Sequence, residues 1–206
     1  MPEFYTPTAQ MIFWALSGYL LGSVPFGLLL TRIMGLGNLR DIGSGNIGAT
    51  NVLRTGNKAA ALATLLLDGG KGAVAVLLAR TYAGEDAVQL AALCAFLGHC
   101  YPVWLKFRGG KGVATFLGIW LALAWPVGVA CCVTWLAAAA LSRTSSIGAL
   151  AAAAMSTVWA LFLGAGSAML LGAVLTLLVY WRHRANISRI RAGSEPKIGQ
   201  KSTGAA

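Results

Sequence analysis

Acidic side chains are scarce in this sequence: six stand against sixteen lysines and arginines, for a formal net charge of +10. No Asp-rich cluster occurs, so the carboxylate cage that holds magnesium is missing and no metal site is expected. The four cysteines, Cys94, Cys100, Cys131 and Cys132, lie in or beside apolar runs without metal-ligand spacing. They read as packing residues rather than as disulfides or zinc ligands. Only His99 and His183 supply an imidazole, and neither is followed five positions on by an aspartate, since Trp104 and Ser188 stand there. Catalysis by a His/Asp pair at that spacing is thereby excluded. Charge of either sign is short as well, 11% of residues against about 25% in a soluble domain.

What fills the chain instead is apolar: 57% of it is hydrophobic and its mean hydropathy is +0.71. The apolar residues come in long runs without strand alternation, which argues against a transmembrane barrel built from alternating segments of about 10 residues. An all-α integral membrane protein is expected, because a spanning backbone must satisfy its own hydrogen bonds. Glu3 precedes the first run and no basic leader does, so no cleaved signal peptide is expected.

The first span is predicted over 10–31, with Gly18 and Gly22 opening a close-packing face and Pro25 and Gly27 kinking its second half. Residues 59–82 read as one crossing interrupted by Asp68-Gly69-Gly70-Lys71-Gly72, or as two half-helices meeting there. A span over 87–103 follows. Residues 113–141 read as a hairpin of two short spans around Trp125-Pro126-Val127-Gly128, and 147–181 as two more around Gly164-Ala165-Gly166-Ser167. The sum is about seven transmembrane helices, N-terminus outside and C-terminus cytoplasmic, with polar glycine-rich loops on the cytoplasmic face. The count falls to five if the interrupted segment and one neighbour are re-entrant. In the seven-span arrangement only Arg80 of the sixteen Lys and Arg lies outside, with Glu3, Glu85 and Asp86. That asymmetry is the positive-inside rule, and it accounts for the basic charge without nucleic acid. Residues 1–198 read as one polytopic domain, and 199–206, small and polar, as a disordered tail.

The polar motifs gather on the inner side. The most distinctive is Asp41-Ile42-Gly43-Ser44-Gly45-Asn46-Ile47-Gly48-Ala49-Thr50-Asn51, followed by Arg54. Gly43, Gly45 and Gly48 allow tight turns with exposed backbone N–H groups; Ser44, Asn46, Thr50 and Asn51 add side-chain donors and Arg54 a fixed charge. These are the makings of a phosphate cradle. The glycines match G-x-G-x-x-G, but no strand precedes them, and Ala49-Thr50 stands where a P-loop requires Lys-Ser/Thr, so both nucleotide loops are excluded. Gly69-Gly70-Lys71-Gly72 repeats as Gly109-Gly110-Lys111-Gly112, each reading as a polar turn that opens an apolar helix and attracts anions to its N-terminus. Lys111, with Arg108 and Gly110, is expected to bind an anion; Lys71 reads equally as an ion pair with Asp68. His99 reads as a hydrogen-bonded scaffold residue. In the tail, His183 and Asn186 share a helix face within a basic flank, and Glu195 is expected to pair with an arginine and fix the tail.

Ser23-Val24-Pro25-Phe26-Gly27, the 41–51 loop, Asp68-Gly69-Gly70-Lys71-Gly72, the 99–112 stretch and the 183–195 stretch, in that order and over nearly the whole chain, resemble the bacterial acyl-phosphate:glycerol-3-phosphate acyltransferase family. Ser145-Ser146 is the loosest correspondence. The resemblance implies transfer of a fatty acyl group from acyl phosphate to the sn-1 hydroxyl of glycerol 3-phosphate, giving lysophosphatidic acid and inorganic phosphate for phospholipid synthesis. It implies no metal and no cofactor, a multi-pass place in the bacterial cytoplasmic (inner) membrane, an active site facing the cytoplasm, and coupling to a soluble enzyme that makes acyl phosphate.

An acyl phosphate is a mixed anhydride, so such an enzyme supplies proximity and charge stabilisation rather than a nucleophile. Ser44, Asn46, Thr50 and Asn51, with the backbone of Gly43, Gly45 and Gly48, are expected to hold the acyl-phosphate head. Arg54, Arg108, Lys111 and His183 with Asn186 are expected to bind glycerol 3-phosphate, and Gly110 and Ser146 join the substrate-binding set. Ser44, Lys111, His183 and Asn186 are assigned to the chemistry, Asp68, Lys71 and Glu195 to structure. The acyl chain is expected in a groove between helices. The alternative is a transporter for a small phosphorylated metabolite, suggested by the interrupted 59–82 segment.

Overall fold

The structure, a computed structural model, describes residues 2, 3 and 5–198; the expected disordered tail, 199–206, lies outside the described residues. Among the described residues there are ten α-helices and no strand. They are α1 (Thr8–Ser23), α2 (Phe26–Ile33), α3 (Ala49–Val52), α4 (Lys58–Tyr82), α5 (Glu85–Cys100), α6 (Val113–Leu123), α7 (Trp125–Ser142), α8 (Ser145–Phe162), α9 (Met169–Arg182) and α10 (Arg184–Arg191). Among the described residues, five stretches are long and apolar enough to cross a membrane: Thr8–Ile33, α4, Glu85–Leu105, α7 and α8. Two more, α6 and Gly166–Arg182, are apolar but shorter.

The helices are packed inside out relative to a water-soluble bundle. On α4 the exposed face carries Leu62, Leu65, Leu66, Leu77 and Leu78, while the buried face carries Ala60, Thr64, Asp68, Lys71, Gly72, Ala75 and Ala79. Small residues inside and leucines outside suit a helix whose surroundings are hydrocarbon and whose partners must come close. The α1–α5 seam follows the same rule. A Cβ at Gly18 or Gly22 would strike the backbone of Ala91 or Ala95, and one at Gly98 would strike Tyr19. Larger side chains fill the middle, where Trp14, Phe96, Phe116, Trp120, Val127, Leu175 and Val179 share one cluster.

Two expectations about breaks differ from the structure. The kink expected at Pro25 is a full interruption between α1 and α2, because proline brings no N–H to continue the ladder. Conversely, 59–82 is not interrupted: α4 runs unbroken for 25 residues through Gly69-Gly70-Lys71-Gly72. The Asp68 and Lys71 charges meet each other one turn apart at 2.7 Å, so no polar break is needed to accommodate them. The glycines serve packing, since a Cβ at Gly72 would meet Thr115 and one at Gly118 would meet the Gly69 carbonyl. The first of the two repeated motifs therefore opens no helix, and the half-helix argument for a transporter loses its basis. The α6–α7 hairpin turns on Ala124 alone, with Pro126 in the first turn of α7.

Successive connections collect at opposite ends of the bundle. At one end the Asp86 carboxylate accepts from the Tyr5 and Thr6 backbone, Arg80 donates to the Ala122 and Leu123 carbonyls, and Gln89 donates to Ser167. At the other end, the segments 36–57, 101–112, 142–146 and 182–198 bind one another.

Candidate active site

The loop between α2 and α4 rests on a small core of its own: Leu39, Ile47 and Val52 pack with Ala60 and Ala61 of α4. Asn51 ties it together. Its amide nitrogen donates to the carbonyls of Leu39, Ile42 and Asn46 at 2.8–3.0 Å, and its oxygen accepts from the Ser44 N–H and from Arg54. The side chain expected to touch substrate is thus fully used within the loop and is left no group for a ligand. Gly43 has φ +55 and lies against Arg54, and a Cβ there would fall 2.7 Å from Asn51 Oδ1. Gly45, at φ +64, offers its carbonyl to Arg40. Ser44 stands exposed at the apex, and among the described residues no hydrogen bond reaches its hydroxyl. Thr50 Oγ1 meets Ser145 Oγ at 3.1 Å, joining this loop to the start of α8.

The second contribution is the turn ahead of α6. The N–H groups of Gly109 and Gly110 donate to the carbonyls of Cys100 and His99, both at 3.1 Å. From outside, Arg182 donates to the Gly110 and Gly109 carbonyls at 3.0 and 3.1 Å while its guanidinium stacks 4.9 Å from the Tyr101 ring. Arg40 completes the frame by donating to the Arg108 carbonyl. Burial, then the charges of Arg108 and Arg182, lower the Arg40 pKa. Lys111 leaves this turn half-buried, and among the described residues no hydrogen bond reaches its ammonium. Burial brings its pKa down to about 8; Arg189, Arg54 and Arg182 push the same way, and only Glu195 opposes them.

The third contribution is the tail. His183 is buried at the end of α9, with Nδ1 2.8 Å from the Val179 carbonyl. A carbonyl can only accept, so Nδ1 carries the proton and Nε2 presents its lone pair. Burial and the nearby Lys111 charge hold the His183 pKa down at about 4, so the ring is neutral. Asn186 is buried and donates to Glu195 Oε1, while its own oxygen has no partner among the described residues. Ser146 also donates to Glu195 Oε1, at 2.8 Å, and Arg189 to Oε2, at 2.7 Å. Burial by itself would raise the Glu195 pKa; these hydrogen bonds outweigh it and bring the carboxyl below its usual value. Beyond Glu195, the Ile198 N–H closes the strap onto the Arg143 carbonyl.

The structure thus brings Ser44, Thr50, Arg54, Lys111, His183 and Asn186 to one end of the bundle. Asp68 and Lys71 lie apart, buried within α4. Ser146 faces Glu195, and Arg108 contributes a backbone carbonyl while its side chain is exposed. Arg40 and Arg182, which hold the site's backbone, carry no sequence signal, because their partners are carbonyls 68 to 73 residues away.

A family model described as glycerol-3-phosphate acyltransferase matches residues 12–193. The glycerol-3-phosphate acyltransferase of Ruegeria pomeroyi is 72% identical over 98% of this chain and 100% of its own length. That of Cereibacter sphaeroides strain ATCC 17025 is 64% identical over 98% of this chain and 97% of its own. Among solved structures, the glycerol 3-phosphate form of PlsY (YgiH), an integral membrane glycerol 3-phosphate acyltransferase, aligns with a TM-score of 0.86 at 34% identity over 92% of this chain and 96% of that one. Its lysophosphatidic acid form aligns with a TM-score of 0.82 at 31% identity.

Proposed function

The chain belongs to the glycerol-3-phosphate acyltransferase family, and from that premise we propose how its residues transfer a fatty acyl group from acyl phosphate to the sn-1 hydroxyl of glycerol 3-phosphate. The products are lysophosphatidic acid and inorganic phosphate. The observation that carries the site assignment is Lys111, whose ammonium has no hydrogen-bond partner among the described residues and lies near Arg54, Arg182 and Arg189 with Glu195 as the opposing charge. Such an excess of positive charge is relieved by a bound phosphate, and two phosphates must sit here at once.

Glycerol 3-phosphate binds to Lys111, Arg54 and Arg108, with His183 Nε2 accepting from the sn-1 hydroxyl and Asn186 Oδ1 completing the polar wall. The acyl-phosphate head lies over the 43–50 loop, on the Ser44, Asn46 and Thr50 side chains and the glycine N–H groups. Asn51 acts by holding that loop in shape. The sn-1 oxygen attacks the acyl carbonyl carbon, the bond from that carbon to the bridging phosphate oxygen breaks, and the electron pair leaves on phosphate, stabilised by Ser44 and the basic groups. The hydroxyl proton ends on the departing phosphate, a stronger base than a histidine held at about pKa 4. The acyl chain extends along the apolar groove of about 650 Å³ between α7 and α8, lined by Pro126, Val133, Leu141, Met155 and Trp159. Its Leu141 end lies four residues from Ser145, the partner of Thr50.

Seven crossings, from Thr8–Ile33, α4, α5, α6, α7, α8 and α9, account for the alternation of connections between the two ends. Arg80 sits at the end with Glu85 and Asp86, and the glycine loops share theirs with most other cations, which supports a cytoplasmic active site in the bacterial inner membrane. A soluble enzyme that makes acyl phosphate would supply the donor at that face.

The purified protein in detergent, given acyl phosphate and glycerol 3-phosphate, should release phosphate only when both are present. Lys111→Met should raise the glycerol 3-phosphate KM, and Ser44→Ala should lower kcat. His183→Gln should mainly raise KM, whereas a loss of about 100-fold in kcat at saturation would instead make His183 the base. An unchanged glycerol 3-phosphate KM in Lys111→Met would overturn the assignment.

A further inference from the structure

Asp68, Lys71 and His99 are ionisable, buried and unused by the chemistry above; the Lys71 and Asp68 side chains are 4% and 3% exposed, and that of His99 is 4% exposed. Lys71 Nζ donates to Asp68 Oδ1 at 2.7 Å and to the Val24 carbonyl, at the α1–α2 break, at 2.8 Å. Thr115 Oγ1 of α6 donates to the Asp68 carbonyl at 2.9 Å. Asp68 and Lys71 of α4 are therefore tied to α6 through the Asp68 backbone carbonyl and to the α1–α2 break through the Lys71 ammonium. An ion pair between neighbours on a helix explains Asp68 and Lys71, but not the imidazole beside them. His99 Nδ1 faces Asp68 Oδ1 at 3.7 Å and has no hydrogen-bond partner among the described residues. Its other face meets the active-site turn: a Cβ at Gly110 would fall 2.2 Å from His99 Nε2, and the His99 carbonyl accepts the Gly110 N–H. Lys111 is the next residue.

We propose that His99, held from behind by the Asp68–Lys71 pair, is a positioning residue that seats Gly110 and so aims the Lys111 ammonium at the substrate phosphate. The ring fills the space that any side chain at 110 would need. A shift of the ring moves the Gly110 Cα and, with it, the lysine. Arg182 holds the same turn through the Gly109 and Gly110 carbonyls, so His99 and Arg182 together fix the backbone from which the Lys111 side chain extends. This rests on the reading of Lys111 as a phosphate ligand.

The test is a double-mutant cycle on the purified full chain in detergent. Asp68→Asn and His99→Gln are each combined with Lys111→Met, and KM and kcat are measured for both substrates. Each single change is expected to raise the glycerol 3-phosphate KM about tenfold with kcat within about threefold. In the Lys111→Met background the further effect should shrink to less than about twofold, because groups acting through one another are not additive. Full additivity would overturn the proposal, since a generally loosened fold does not need Lys111 to transmit its effect. If Lys111→Met and Asp68→Asn both move the acyl-phosphate KM instead, non-additively, the positioning role stands and the assignment of Lys111 to glycerol 3-phosphate falls. Should Asp68→Asn fail to fold, Asp68→Asn with Lys71→Met removes both charges together and leaves neither unpaired. Parental kinetics in that variant would also overturn the proposal.

Discussion

The Asn186 side chain donates to Glu195 Oε1 at 2.5 Å, so its donor is taken by protein and its acceptor is buried with no partner among the described residues. The same carboxylate oxygen takes the Ser146 hydroxyl. Glu195 thereby sets the orientation of Asn186 and closes the tail over α8.

Glu195→Gln places an amide among three donors and removes the charge facing Arg189. Hydrogen bonds to a charged group contribute about 1.5–3 kcal/mol each, and the exposed Arg189 side of this set sits near the bottom of that range. The melting temperature in detergent should fall by about 4–8 °C, and kcat/KM by more than about tenfold, because the Asn186 acceptor is no longer aimed. Arg189→Ala, which spares the Ser146 and Asn186 contacts, should affect both less.

The pH dependence of activity and of stability should have opposite signs above neutrality. Lys111 binds phosphate as an ammonium, so the glycerol 3-phosphate KM should rise as pH passes about 8. Lys111→Arg should abolish that limb. For stability, the folded value lies below the ordinary 10.5, so the unfolded chain holds more protons between about 8 and 10.5 and stability rises with pH there. His183 behaves likewise on the acid side: its folded value of about 4 lies below 6.5, and stability is lost as pH falls through that window. Thermal melts and initial rates across pH 4–10 check both.

The two Gly-Gly-Lys-Gly motifs should respond oppositely to alanine. Gly70 lies within α4 with nothing within 4 Å of its would-be Cβ, so Gly70→Ala gains up to about 1 kcal/mol of helix propensity and leaves activity unchanged. Gly110→Ala drives its Cβ into the His99 ring and should abolish measurable turnover. Equal effects at the two positions would refute this distinction.

Gly43→Ala is expected to cost more than Gly35→Ala. Both glycines have positive φ, +55 and +63, so each substitution meets about 1–2 kcal/mol of backbone strain. Around Gly35 there is open space, whereas the new Cβ at 43 would collide with Arg54 and Asn51, the two residues that shape the loop. Steady-state assays should show a loss of at least about tenfold for Gly43→Ala, with Gly35→Ala close to the parent.

Hydropathy placed the apolar stretches well, because a segment surrounded by hydrocarbon must be apolar along its whole length. The hairpin at Trp125-Pro126 and the break near Gly164 are legible for the same reason, since turn residues interrupt those runs. The continuity of α4 was not legible. Asp68 and Lys71 look like an interruption until Lys71 is seen to bond both Asp68 and the Val24 carbonyl 47 residues away. Asn51 stands out in the sequence as a donor within the glycine loop, but its part as the internal tie of that loop depends on where Leu39, Ile42 and Asn46 turn their carbonyls.

By itself, the sequence determined the membrane class, because composition and long apolar runs settle it, and its ordered motifs carried the resemblance to the family; the runs of donors, glycines and fixed charges supplied the residue types proposed to meet phosphate. Only the tertiary structure decided which of those residues face the site and which face each other. Ser146 and the Asn186 donor turn to Glu195, Asn51 is spent on its own loop, and the Lys111 ammonium leaves its turn with no hydrogen-bond partner among the described residues. The physical reason is that a polar group near hydrocarbon must find a partner, and whether that partner is protein or substrate depends on contacts between segments far apart in the chain.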